Sequence, residues 1–85
     1  MSTVSDERSH IIKALASFER RIDDMHLEFE KYHHGEENRT PDWQELEEDL
    51  LNFSRRTFYE VLISNNLDRL LFKFQIRKKL WLSWV

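Results

Sequence analysis

The sequence predicts an all-α fold: a long antiparallel helical hairpin plus a C-terminal third helical segment, assembling into a dimeric helical bundle. Three observations carry that expectation. The chain has one glycine and one proline, Gly35 and Pro41, close together near its middle and with no comparable breaker elsewhere. On both sides of that break, apolar residues recur at helical spacing. Finally, a chain of 85 residues buries only about 60–65% of the surface its unfolded form exposes, so a private core is thin. The chain has no cysteine to add a disulfide, which makes pairing with a second copy the expected remedy.

Helix 1 is expected over about residues 5–34. Its apolar positions are Ile11, Leu15, Phe18, Ile22, Met25, Phe29 and Tyr32, alternating spacings of four and three as a coiled-coil seam does. The opposite face carries Arg20, Arg21, Asp24, Glu28 and Lys31, the solvated side of an amphipathic helix. Ser5 or Thr3 can cap its start, Asp6 and Glu7 suit the positive end of the helix dipole, and Lys31, His33 and His34 suit the negative end. Gly35 is the left-handed stop. Residues 35–40 form the loop.

Helix 2 is expected over about residues 41–64. Thr40 serves as N-cap, Pro41 takes the first helical position, where its missing N–H is not needed, and Asp42 follows. Glu45, Glu47, Glu48 and Asp49 then crowd the positive end of the dipole. In an antiparallel hairpin, Trp43 meets Tyr32, Leu46 meets Phe29, Leu50 meets Met25, Phe53 meets Ile22, Phe58 meets Phe18 and Val61 meets Leu15. Every pair is apolar. A second apolar stripe of Leu51, Phe58 and Leu62 needs cover from elsewhere.

The C-terminal segment is expected over about residues 66–85, entered through Ser64-Asn65-Asn66-Leu67-Asp68. Asparagine tolerates the left-handed region, and Asn65 can cap a new helix. Continuation of helix 2 is the alternative. The strict alternation of Phe72-Lys73-Phe74-Gln75-Ile76-Arg77 also reads as a strand, but no turn residue follows at Lys78-Lys79 and a lone two-stranded ribbon is marginal.

Charge divides along the chain. Residues 1–60 hold eight Lys/Arg against fifteen Asp/Glu, a net of −7, whereas residues 61–85 hold five basic residues against Asp68, a net of +4. A basic tail can pack on the acidic helices of its own or a sister chain, or touch phosphate or lipid headgroups. An acidic body repels nucleic acid at long range, so nucleic acid is not the expected partner.

The N-terminal stretch Met1–Arg8 is polar and reads as no secretory signal. No apolar run approaches the ~20 residues a membrane span needs. With the absence of cysteine, these features lead to an expected cytoplasmic setting.

Catalysis is not expected. One glycine cannot build a phosphate-binding loop, there is no thiol nucleophile, and no Ser/His/Asp grouping has a supporting context. No cofactor is expected either. The weak metal candidates are Glu30 and His33, spaced as in the Glu-x-x-His element of carboxylate-bridged bundles, but Glu30 lies outside the seam. His26 and His33, seven apart with His34 beside them, offer a pH-sensitive interface as a further reading.

After Asp68 the C-terminal segment carries ten large apolar residues and five basic ones on no narrow stripe. Such an element is covered within the fold or the oligomer, or part of it is a docking surface. The expected function is therefore non-enzymatic protein–protein interaction, by a small structural, adaptor or accessory subunit. The candidate protein-binding residues are Phe74, Trp81 and Trp84, with Arg77, Lys78 and Lys79 for electrostatic orientation. The alternatives are a peripheral membrane or nucleic-acid binder using the basic, aromatic tail, and a carboxylate–histidine metal protein.

Overall fold

The computed structural model describes residues 3–56 and 58–85, which form three helices: α1 (Thr3–His33), α2 (Trp43–Ser54) and α3 (Val61–Trp84). The expected all-helical class holds for these residues, and the segment that alternates like a strand lies inside α3.

At 1.5 Å per residue α1 is about 46 Å long, which sets the long axis of a molecule measuring 51 × 21 × 17 Å. Its heptad seam faces inward as expected: Ile11, Leu15, Phe18, Ile22 and Phe29 are buried. Gly35 ends α1 with φ +80°. The Glu36 N–H donates to the Lys31 carbonyl at 2.9 Å and the Gly35 N–H to that of Tyr32 at 3.1 Å. These two bonds define a Schellman motif, which needs a left-handed residue where Gly35 stands.

Helix α2 begins two residues later than expected. Asp42, not Thr40, is the N-cap, and its Oδ1 accepts the Glu45 N–H at 3.3 Å. The Pro41 carbonyl instead accepts the Trp43 N–H at 3.1 Å, so Pro41 closes a tight turn ahead of the helix. Asp42→Ala is expected to lower unfolding stability by about 0.5–2 kcal/mol, with the urea midpoint as the readout and Asp42→Asn retaining most of the cap.

The α1–α2 pairing is antiparallel, but its register differs from expectation by about one turn. Phe53 meets Phe18, with ring centroids 5.3 Å apart, instead of Ile22, and Arg21 bonds Asp49 at 2.9 Å. Loop residues lie back along α1, where Arg39, Thr40, Pro41 and Asp42 share a cleft with Glu28 and Lys31. Non-helical residues advance the chain about twice as far as helical ones, so α2 starts farther down α1.

The larger departure is the end of α2. It stops at Ser54, ten residues before the expected boundary, and the next helix begins at Val61. The Arg55 and Arg56 N–H groups reach only to Asn52 and Phe53, at 3.3 and 3.2 Å, a tightened final turn. Phe58 then folds against Phe53 at 5.3 Å, and the Arg56 guanidinium lies 5.4 Å from both ring centres. Ser64, Asn65 and Asn66, the expected break, sit inside α3. Their weak helix propensity is overridden because Ile63 and Leu67 around them are both buried. Val61, expected opposite Leu15, is 69% exposed.

Because the chain turns back early, α3 runs parallel to α1. Arg8 pairs with Glu60, Glu19 with Arg69, Asp23 with Lys73, Phe29 with Trp81 and His33 with Trp84, so partner numbers rise together. The short α2 lies antiparallel to both long helices. Arg8 donates to both Glu60 oxygens at 2.9–3.1 Å, and these hydrogen bonds hold the Glu60 carboxyl below its usual range. A depressed carboxyl favours the fold above its unfolded pKa and loses that contribution as pH falls through the folded value. Solvent exposure and salt keep this pair weak.

Candidate interaction surface

The C-terminal helix divides by face, and each expected binding residue takes a place on one face or the other. Its inward seam is Ile63, Leu67, Leu70, Phe74 and Trp81, all buried. The spacings of four, three, four and seven form a heptad line with Arg77 at the skipped position.

Phe74 and Trp81 are therefore core residues, 1% and 0% exposed, which corrects the expectation that both are docking aromatics. That expectation placed α2 along α1 as far as Ile11. A twelve-residue α2 leaves most of that surface free, and α3 occupies it.

Trp81 is the centre of an aromatic cluster at the loop end of the bundle. Its ring stacks on Phe29 at 4.9 Å with an interplanar angle of 3° and meets Phe74 edge-on at 5.9 Å. The indole N–H, buried with the ring, donates to His26 Nδ1 at 3.1 Å. His26 Nε2 lies 2.9 Å from Glu30 Oε1. Because Nδ1 accepts the Trp81 N–H, the ring proton of His26 sits on Nε2, the nitrogen beside Glu30.

Trp84 is half-buried, stacked on the exposed His33 ring at 4.5 Å. Glu30 and His33, the metal candidates, thus turn to different partners. No group of three or more His, Asp or Glu that could hold a metal forms among the described residues.

Three of the five basic residues of the tail find acids within the chain. Arg69 lies 2.7 Å from Glu19, Lys73 2.8 Å from Asp23, and Lys78 2.6 Å from Glu47. Lys78 also sits 4.7 Å from the centre of the Trp43 ring, so it joins α3 to α2 in a partly buried position and is not an outward steering charge. Arg77 is half-buried and Lys79 exposed. Among the described residues, the tail's charge complements its own acidic body.

The outward face of α3 retains Leu62 at 72% exposure, Phe72 at 69%, Ile76 at 51% and Leu80 at 38%. Phe72, Ile76 and Leu80 recur every fourth residue and so stack along one edge. Sequence reasoning merged them with Phe74 and Trp81 into one apolar mass. The heptad line from Ile63 separates the two sets only once α3 is known to begin at Val61, ahead of the break the sequence predicts.

A cleft of about 560 Å³ lies between the end of α1 and the loop. Its walls carry charges of both signs from Glu28, Lys31, Glu37, Arg39 and Asp42, unlike the apolar lining that holds most small ligands. No helix among the described residues is long and apolar enough to cross a membrane. Comparison of the chain with protein-family models, with curated proteins and with solved structures returned no match.

Proposed function

We propose that this chain is a non-enzymatic protein–protein interaction module, a small structural or adaptor subunit that works by helical-bundle association, first of all with itself. One observation carries the reading: after the private core is complete, α3 still presents Leu62, Phe72, Ile76 and Leu80 to solvent. Scattered exposed apolar residues are ordinary, but a repeating edge on a small bundle is characteristic of an association surface. Burying such a side chain fully is favourable by about 1.5–3 kcal/mol. The internal pairing of Arg69, Lys73 and Lys78 favours this reading over a lipid or nucleic-acid surface, because each of these cations lies beside a carboxylate that repels phosphate. The cysteine-free composition suits a reducing, cytoplasmic setting. Sedimentation equilibrium of the intact chain across the micromolar range is expected to show a dimer or larger species. A strict monomer would remove the reading.

A further inference from the structure

We infer that the α1–α3 face opposite α2 binds a second copy of this chain, each α1 lying on the other copy's α3, with the two-fold axis running along the bundle. The inference rests on the self-association reading above and specifies its surface and geometry.

Successive helical residues are 100° apart, so residues two apart point to nearly opposite sides. Arg21 reaches α2 through Asp49, so Glu19 and Asp23 project away from α2. Lys78 reaches α2 through Glu47, so Ile76 and Leu80 project away as well. On this free side Glu19–Arg69 and Asp23–Lys73 pairs link the long helices. Ile12 and Leu27 continue the α1 line at spacings of seven and four, and Leu62 continues the α3 line seven residues before Arg69.

The face therefore has a charged centre between two apolar ends. Ile12 and Leu62 form one end, 41% and 72% exposed; Leu27, Ile76 and Leu80 form the other, 56%, 51% and 38% exposed. The parallel register, anchored by Arg8–Glu60 one turn earlier, sets the residues of each end at the same height.

Charge selects the occupant and its orientation. At this seam α1 is acidic and α3 basic. A two-fold axis along the helices lays each acidic α1 on a basic α3 and brings like apolar ends together. An axis across the helices would oppose acid to acid and base to base, which costs free energy. A face with complementary halves is self-complementary under a two-fold, the property an isologous dimer needs. Its size also fits. The 24 residues of α3 span about 36 Å, and two helices side by side are about 20 Å wide, giving roughly 700 Å² per partner against the ~800 Å² of a standard interface.

The test combines sedimentation with crosslinking. Wild-type chain is expected to dimerise. Ile76→Glu with Leu80→Glu is expected to weaken the dimer roughly 100-fold or more, with helical circular dichroism retained because both positions are exposed. Mixing chains bearing Leu27→Cys with chains bearing Ile76→Cys should give a mixed disulfide under mild oxidation, whereas Leu27→Cys with Ile12→Cys should not. A wild-type dimer indifferent to the double glutamate variant, or one that crosslinks Leu27→Cys to Ile12→Cys instead, overturns the proposed face or geometry while the self-association reading stands. A monomeric wild-type chain overturns both. A monomer that binds a foreign protein through Ile76 and Leu80 assigns the face to that protein and likewise overturns the proposal.

Discussion

Replacing Trp81 with alanine is expected to lower the unfolding free energy by about 3–5 kcal/mol. The side chain is 0% exposed, and three separate contacts would be lost: the parallel stack on Phe29, the edge contact with Phe74 and the hydrogen bond to His26. A domain of this length has a total stability of roughly 4–13 kcal/mol, so the variant is expected to be largely unfolded near the lower end of that range. Urea denaturation followed by far-ultraviolet circular dichroism measures the loss. Trp84→Ala is the internal control, because Trp84 is half-buried and stacks on an exposed histidine. Equal costs for the two substitutions would mean that Trp81 is a surface residue and would restore it as a docking candidate.

His26→Leu is expected to cost about 1–3 kcal/mol, the penalty for leaving the buried Trp81 N–H without an acceptor. Loss of the Glu30 contact adds little, since Glu30 is partly solvated. The same change in a Trp81→Phe background is expected to cost clearly less, since phenylalanine has no N–H to strand. The difference between the two costs, read from a double-mutant cycle, isolates the imidazole–indole bond from ring packing. A cycle that closes to zero would show that His26 contributes only its ring.

The candidate surface was less legible than the fold. The ten apolar residues after Asp68 point around much of the helix, and spacing alone does not say which of them faces the core. The basic residues have the same ambiguity, because Lys78 and Lys79 are adjacent in sequence yet one pairs with Glu47 while the other is exposed. The Glu30–His33 spacing was legible but did not bring the two together, since His26 lies one turn from Glu30 and takes its carboxylate.

By itself the sequence determined the helical class, the seam of α1 from Ile11 to Phe29, and the stop at Gly35. These depend on local quantities: residue spacing, the left-handed conformation open to glycine, and the capacity of short polar side chains to cap. Only the tertiary structure decided that α2 ends at Ser54, that α3 runs parallel to α1, and that Phe74 and Trp81 are core while Ile76 and Leu80 are surface. Those outcomes follow from competition between α2 and α3 for the same apolar face of α1. The free energy of that competition belongs to packing between distant segments, and no local pattern contains it.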